Sequence, residues 1–301
     1  MEYLIEYGLF LAKTATLVIA FIAILSAGVA ISTRNRRAVH KGSINISHLN
    51  NDYEDLHDNM QRVILDRHSW KLLQKLEKKK DKAEEKRRKK GDSDEERRRR
   101  VYVLNFDGDI AASEVESLRQ EISAVLSMAE PQDEVLVRLE SPGGMVHAYG
   151  LASSQLQRIK DHNIPLTICV DKVAASGGYM MACLADKLVA APFAILGSIG
   201  VLVQLPNFNR VLKKHDVDYE IISAGEYKRT LSTFGEITTK GREKVQEDVE
   251  EIHSLFKQWV KQHRPVVAID EIATGETWVG IQAKALNMID EISTSDECII
   301  K

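Results

Sequence analysis

The chain has 301 residues, of which 44% are hydrophobic and 28% are charged, a balance that excludes a wholly disordered protein. Its net charge of −3 is unevenly distributed. Residues 1–100 hold 22 Lys and Arg against 15 Asp and Glu, whereas residues 101–301 hold 19 against 29. The two parts therefore carry charges of +7 and −10, and we place a domain boundary between residues 100 and 101.

Residues 14–31 form an uninterrupted run of uncharged and mostly apolar residues. As a helix that rises about 1.5 Å per residue, this run spans about 27 Å, close to the thickness of the hydrocarbon core of a bilayer. The apolar stretch extends back to residue 8 when Lys13 reaches toward the headgroups. We predict that residues 1–33 are a single-pass anchor that crosses the lipid bilayer through residues 8–31.

The charges beside this run predict its fate and its orientation. A cleaved signal peptide begins with basic residues, but this chain begins with Glu2 and Glu6. Basic residues follow the run instead, starting at Arg34. Because positive charge is retained on the cytoplasmic side, we expect an uncleaved anchor with the rest of the chain in the cytoplasm.

Residues 34–100 are interpreted as a charged linker, helical or disordered. Residues 43–70 are polar with scattered apolar positions and predict a loosely amphipathic helix, and residues 71–100 are a charge run that cannot bury a core. Nucleic-acid binding is disfavoured because aromatic residues are absent from the run and acidic residues are mixed into it. Contact with anionic lipid headgroups is favoured.

From residue 101 onward, strand-like apolar runs alternate with helical segments. A capping box at Ser113 and Glu116 predicts the start of a helix that ends near residue 129. This alternation predicts an α/β fold with a largely parallel sheet covered by helices. The predicted strands are residues 101–106, 135–139, 165–170, 187–191 and 219–223, and the further helices are residues 146–160, 207–214 and 239–262.

Two glycine-containing turns follow predicted strands, at residues 141–144 (SPGG) and 176–178 (SGG). Ligand sites of parallel sheets lie at such strand ends. Ser176, at a corner between a strand and a helix, has the position of a nucleophile, and the N–H groups of Gly144 and Gly177 are candidate donors to an oxyanion. The alternative is a glycine-rich turn in which the serine only caps the helix.

A serine nucleophile needs a base that accepts its proton. His147 follows the first glycine turn and is one candidate, although no acidic residue that would orient it can be identified. A lysine can act instead when burial lowers its pKa from about 10.4 toward neutrality, and Lys228 in the stretch GEYKRT is a candidate of this kind. The residues alone leave the choice between them open.

The three cysteines, Cys169, Cys183 and Cys298, have neither a CxxC nor a Cys/His spacing. Their odd number also argues against a disulfide framework. We therefore interpret them as free thiols, buried in apolar surroundings, and expect no zinc site.

Residues 101–295 resemble the catalytic domain of the signal peptide peptidase A family of serine–lysine proteases, and the whole chain resembles its membrane-anchored SohB-type branch. Several motifs in the same order carry the resemblance, and together they are far more specific than a lone SGG. The motifs are LESPGGMVHAYG (139–150), VDKVAASGGYMMACLAD (170–186), APFAILGSIGV (191–201), SAGEYKRTLSTFGE (223–236) and ATGETWVGIQA (273–283).

The resemblance implies a spiral of ββα units, as in the crotonase and Clp-protease superfamily, with Ser176 as nucleophile and Lys228 as general base. It implies oxyanion stabilisation by the backbone of Gly144 and Gly177. It further implies a homo-oligomer in the bacterial inner membrane that cleaves signal peptides or other membrane-derived peptides without a metal, nucleotide or other cofactor. Some relatives face the periplasm, contrary to the orientation that the charge rule favours.

Two other classes of function remain as alternatives. A catalytically silent membrane scaffold would keep the fold and bind peptides, but it would need neither Ser176 nor Lys228. A crotonase-type acyl-CoA enzyme would share the oxyanion hole without needing a Ser–Lys pair or an anchor. Residues 191–205 are expected either to line a substrate groove or to pack in the core.

Overall fold

The structure is a computed structural model that describes residues 44–89 and 99–300, together with isolated helical positions 8, 13, 14 and 16. Most of the predicted anchor, residues 8–31, lies outside the described residues. Among the helices that are described, none is both long enough and apolar enough to cross a bilayer. The chain divides into two compact units, Met1–Trp70 and Lys71–Lys301.

Within residues 44–89, two helices precede the large sheet in the sequence. Helix α1, Leu49–Ile64, buries none of its residues, and helix α2, Arg67–Lys89, contains most of the charge run that is described. Asp66 begins α2, because its carboxylate accepts the N–H groups of His68 and Ser69 at 2.8 and 3.0 Å. The amphipathic segment predicted over residues 43–70 is thus helical in α1, and the charge run is helical as far as Lys89.

A five-stranded parallel sheet forms the centre of the second unit, with strand order β1-β2-β3-β5-β8. Its inner strands are apolar on both faces, and all five residues of β3 are buried. The predicted α/β class with a parallel sheet is confirmed. The strands are β1 Val101–Asp107, β2 Glu134–Glu140, β3 Leu166–Val170, β5 Lys187–Ala190 and β8 Glu291–Ile292.

A second, three-stranded sheet contains β4 (Val173–Ala175), β6 (Ile195–Gly197) and β7 (Thr277–Val279). Strand β6 lies in the middle, parallel to β4 and antiparallel to β7. Twice in succession, the chain places one strand in the large sheet and the next in the small sheet, first as β3 and β4 and then as β5 and β6. This alternation places β4 beside the residue that follows β2, because Ala174 pairs with Ser141.

Helices cover the large sheet and complete its core. Helix α4 packs against the sheet through the buried side chains of Tyr149, Leu156 and Ile159. The helices that follow α2 are α3 Val115–Leu126, α4 Val146–Asp161, α5 Gly177–Ala182, α6 Asn209–Lys214, α7 Thr239–His263, α8 Ile269–Ile272, α9 Gly280–Ala285 and α10 Ser295–Ile300.

Two local predictions are wrong. The capping box at Ser113 and Glu116 does not form, because Ser113 donates its N–H and its hydroxyl to the Asp109 carboxylate at 2.8 and 2.7 Å, and α3 begins without a side-chain cap. Residues 219–223 form no strand and are exposed, because no neighbouring strand pairs with them within the described part of the chain. The remaining predicted strands and helices are present, with ends that differ by a few residues.

Candidate active site

Ser176 lies at the sharp corner between β4 and α5. Its backbone has φ 52° and ψ −118°, a left-handed conformation that costs an ordinary residue about 1–3 kcal/mol. Two hydrogen bonds hold the corner, from the Ser176 N–H to the Gly197 carbonyl at 2.7 Å and from the Met180 N–H to the Ser176 carbonyl at 3.0 Å. The side chain makes no cap hydrogen bond, so the alternative interpretation of Ser176 as a simple helix cap is wrong.

The two glycine turns predicted from the sequence meet at this corner. Gly143 has φ +87°, and a Cβ atom there would lie 2.7 Å from the Cβ of Ser176 and 2.8 Å from the Gly177 nitrogen. A side chain at Gly177 would in turn lie 2.4 Å from the ring of Tyr149. Only glycine fits this spacing, because real Cβ atoms do not approach other heavy atoms so closely.

Both candidate oxyanion donors lack a partner in the described part of the chain. Within residues 99–300, the N–H groups of Gly144 and Gly177 donate to no protein acceptor. The N–H of Gly143, by contrast, is used by the hydroxyl of Ser141 at 3.1 Å. The two candidate oxyanion donors therefore lie on contacting turns, and neither N–H is used by another group in the described part of the chain.

Sequence reasoning missed a buried network beneath these turns. The Tyr149 hydroxyl lies 2.5 Å from the Ser141 hydroxyl and donates to the Asp109 carbonyl at 2.7 Å. The ring of Tyr149 is fully buried, and this burial raises the pKa of its hydroxyl. The sequence placed Ser141 in a glycine turn and Tyr149 on a helix, but nothing in their spacing indicated that the two hydroxyls meet.

Lys228 lies in an exposed turn in which its N–H donates to the Gly225 carbonyl at 3.2 Å. In the described part of the chain, the Lys228 amine forms no ion pair and no hydrogen bond, and it is not within hydrogen-bond reach of Ser176. The neighbouring Glu226 forms an ion pair with Lys240. The structure therefore brings the serine and the two glycine turns together but leaves the proposed base apart.

The other base candidate is not bound to the nucleophile either. His147 is exposed in the first turn of α4, and no hydrogen bond joins it to Ser176 among the described residues. His263 of α7 packs against Trp259 with ring centroids 4.3 Å apart, and burial together with the charge of Lys160 lowers its pKa. Among the described residues, no cluster of His, Cys, Asp and Glu has the geometry of a metal site.

The stretch at residues 191–205 divides into a buried half and an exposed half. Leu196 and Ile199 belong to the core, whereas Leu202 is 79% exposed. The exposed half lines a cleft of about 490 Å³ together with residues that follow Lys228 and residues of α7. The lining residues are Val201, Leu202, Val203, Leu205, Leu231, Ile237, Arg242, Val245, Gln246 and Val249.

The cysteines are free, as predicted. Cys169 and Cys183 are buried, and Cys298 is partly buried. Burial raises the pKa of the Cys183 thiol to about 12. The two buried thiols, Cys169 and Cys183, are therefore structural rather than reactive at neutral pH.

Comparisons with known proteins place the chain in a family. The model of the N-terminal part of peptidase family S49 matches residues 2–156, and the model of peptidase family S49 matches residues 158–301. The probable protease SohB of Haemophilus influenzae is 50% identical over all of this chain and 86% of its own length. The probable protease SohB of Buchnera aphidicola subsp. Schlechtendalia chinensis is 44% identical over all of this chain and 99% of its own.

A solved structure of a membrane-bound stomatin-specific protease with a substrate peptide is 17% identical, covers 68% of this chain and 80% of its own, and has a TM-score of 0.45. The family assignment rests on the two family models and on the full-length similarity to the SohB proteases. The chain belongs to peptidase family S49 and is a serine peptidase of the SohB type.

Proposed function

We propose that this chain is a membrane-anchored serine endopeptidase that hydrolyses peptide bonds through a Ser176–Lys228 dyad and an acyl-enzyme. The observation that carries the proposal is the strained corner at Ser176, whose hydroxyl makes no helix-cap hydrogen bond. Beside it, the N–H groups of Gly144 and Gly177 lie on contacting turns and have no partner in the described part of the chain. Backbone strain of this kind persists where the surrounding structure holds a residue for a function.

In the proposed reaction, the neutral amine of Lys228 accepts the proton of the Ser176 hydroxyl while Oγ attacks the peptide carbonyl. The N–H groups of Gly144 and Gly177 hold the resulting oxyanion. Such a pair of donors contributes several kcal/mol when water is excluded. Lys228 then donates its proton to the leaving amine and activates a water molecule that releases the acyl group.

This mechanism requires the exposed turn at Lys228 to be covered and brought to Ser176. Leu231, three residues after Lys228, lines the cleft. A peptide seated in the cleft, or a neighbouring subunit, would exclude water from this region and bring the amine toward the serine. Coupling of substrate binding to assembly of the dyad would also protect other proteins from cleavage.

Most residues that line the cleft are aliphatic, and Arg242 and Gln246 add polar groups. The aliphatic lining supports substrates with apolar side chains, such as signal peptides and other membrane-derived peptides. Residues 8–31 are proposed to anchor the enzyme in the bacterial inner membrane, near such peptides.

The protease domain is proposed to begin at residue 101, after the charged linker over residues 34–100. The positive charge of that linker favours the cytoplasmic side of the membrane for the domain. Alkaline phosphatase fused after residue 50 would be active only if the domain faces the periplasm instead.

A homo-oligomer is proposed from the apolar surface of the same region. Large hydrophobic side chains are exposed there well beyond what isolated surface positions explain. The exposed side chains between residues 202 and 222 are Leu202, Val203, Leu205, Phe208, Val211, Val217, Tyr219, Ile221 and Ile222.

The test is active-site labelling of the detergent-solubilised full chain with a peptidyl acylating probe, followed by intact mass. We expect labelling of the wild type, loss of labelling in Ser176→Ala, and loss in Lys228→Ala. The matched controls are Ser127→Ala and Lys214→Ala, which remove an exposed hydroxyl and an exposed amine without an ion-pair partner in the described chain. Both controls should label as the wild type does.

One observation favours a catalytically silent scaffold as the second candidate, namely that Lys228 and Ser176 are not in contact. In that case a folded, membrane-bound wild type would bind the probe without forming a covalent adduct. Labelling of Lys228→Ala would instead support the peptidase function but exclude Lys228 as the base, and His147 would be the next candidate.

A further inference from the structure

We propose that Tyr149 is a positioning residue that sets both halves of the oxyanion site, with Ser141 as its link to the first glycine turn. The inference rests on the proposed function, because it assigns the reason why the N–H groups of Gly144 and Gly177 are held beside Ser176. Neither hydroxyl touches the substrate in this role. Both act through the backbone of the turns.

The first argument is the direction of the hydrogen bonds. The Tyr149 hydroxyl has one proton and donates it to the Asp109 carbonyl at 2.7 Å, so the contact with Ser141 at 2.5 Å uses the proton of Ser141. The Ser141 oxygen in turn accepts the Gly143 N–H at 3.1 Å. The chain of bonds therefore runs in one direction, from Gly143 through two hydroxyls to Asp109, and such chains strengthen each member.

The second argument is packing. The Tyr149 ring lies directly under Gly177, since a Cβ atom there would be 2.4 Å from the ring. The ring is fully buried and packs edge-on against Phe106, with centroids 6.5 Å apart and an angle of 73° between the planes. The Tyr149 hydroxyl holds the turn at Gly143 through Ser141, while the ring limits how deeply Gly177 can sink toward the core. The Tyr149 side chain thus holds both of the glycine turns that carry the proposed donors, through Ser141 in the first turn and by direct contact in the second.

The third argument is the backbone that Ser141 bridges. Ser141 is buried and pairs with β4, donating its N–H to the Val173 carbonyl at 2.8 Å and accepting the Ala175 N–H at 3.0 Å. Ala175 directly precedes the nucleophile. The Ser141 hydroxyl therefore fixes the first turn relative to the same strand that carries Ser176.

The experiment compares the steady-state kinetics of Tyr149→Phe, Ser141→Ala and the double variant in the detergent-solubilised full chain with a peptide substrate. Removal of either hydroxyl leaves the ring and the strand pairing in place but breaks the bond chain. We expect kcat to fall about 10- to 100-fold with KM changed less than about 2-fold, because displaced oxyanion donors weaken the transition state alone. The double variant should be no worse than the worse single variant, because both act on one network.

A second readout separates positioning from general damage. A peptide aldehyde that forms a tetrahedral adduct should lose affinity by the same factor as kcat/KM, whereas a product peptide should bind as it does to the wild type. Tyr102→Phe is the matched control, because the Tyr102 hydroxyl has no hydrogen-bond partner in the described part of the chain. Its kcat should be unchanged.

Wild-type kcat in Tyr149→Phe and Ser141→Ala would overturn the proposal, and so would losses of aldehyde and product affinity by equal factors. The proposed function fails by a different result, namely turnover by Ser176→Ala. An inactive Ser176→Ala beside a fully active Tyr149→Phe would therefore reject the positioning role alone.

Discussion

The two sides of the candidate dyad are built in opposite ways. Around Ser176, contacting glycine turns, a pairing strand and a buried tyrosine fix the backbone by hydrogen bonds of 2.5–3.1 Å. Around Lys228, most residues from 201 to 237 are exposed, and apart from helix α6 they belong to no helix or strand. The surroundings of Ser176 are thus packed like a core, whereas those of Lys228 are exposed.

This difference indicates which part of the candidate site is fixed by folding. Oxyanion donors must be fixed before the reaction, because reorganisation during the reaction would cost the stabilisation that they provide. A base on an exposed turn can instead be recruited when a substrate or another subunit covers it. We therefore expect large catalytic effects from small backbone changes around Ser176, and tolerance of substitutions around Lys228 other than of Lys228 itself.

Among changes that leave Ser176 and Lys228 in place, the largest effect is expected from Gly143→Ala. Its φ of +87° and a Cβ only 2.7 Å from that of Ser176 force the first turn away from the nucleophile. We expect kcat/KM to fall at least about 100-fold, since displacements of about 1 Å have such effects. Gly150→Ala is the matched control, because a Cβ there meets nothing within 4 Å, and it should keep wild-type activity. Equal activity in the two variants would show that catalysis does not depend on the backbone conformation of the first turn.

A second contrast lies within residues 191–205, where two leucines differ in burial. Leu196→Ala, at a fully buried position, should lower the free energy of unfolding by about 3 kcal/mol, because it leaves a cavity in the core. Leu202→Ala, at a position that is 79% exposed, should change it by less than about 0.5 kcal/mol. Urea unfolding followed by circular dichroism measures both, and a large loss in Leu202→Ala would show that this surface is packed.

Leu202→Ala also tests the cleft. If the cleft binds apolar substrate side chains, KM for an apolar peptide should rise severalfold while kcat stays near the wild-type value. The same variant should leave KM for a short polar peptide unchanged. Unaltered KM for both peptides would remove this cleft from substrate binding.

The smallest effect concerns pH. Burial, with a further contribution from Lys160, lowers the pKa of His263 below the value of about 6.5 for an unfolded histidine. The unfolded chain then binds this proton more tightly, so the stabilising contribution is complete above pH 6.5 and is lost as pH falls below it. Urea unfolding at pH 7.5 and 5.5 should show a smaller acid loss in His263→Gln than in the wild type. An identical loss would contradict this.

The parallel sheet and most helices could be predicted because each depends on a local pattern, such as the apolar run of β3 or the long amphipathic repeat of α7. Ser176 and its two glycine turns were predicted because short turns after buried strands carry a local signal. The capping box failed at Ser113, where a carboxylate four residues earlier competes for the same hydroxyl. Residues 219–223 have strand-forming composition but lack a pairing strand, which only the tertiary structure determines.

The network at Tyr149 could not be predicted, because it joins Asp109, Ser141 and Gly177 from separate parts of the chain. The position of Lys228 is a similar case. A motif identified the residue, but its distance from Ser176 depends on how a long irregular segment lies on the surface. Local sequence patterns therefore specify the turns around Ser176, whereas the position of Lys228 depends on tertiary contacts that these patterns do not encode.

The role of Lys228 as general base can be tested by the rate at which Ser176 is acylated in Lys228→Ala, with and without small primary amines in solution, beside Lys214→Ala. We expect Lys228→Ala to be acylated at least about 100-fold more slowly than the wild type, because it lacks the general base, and we expect added amines to restore part of the rate. Lys214→Ala should be acylated at the wild-type rate. Acylation of Lys228→Ala at the wild-type rate would exclude Lys228 as the base.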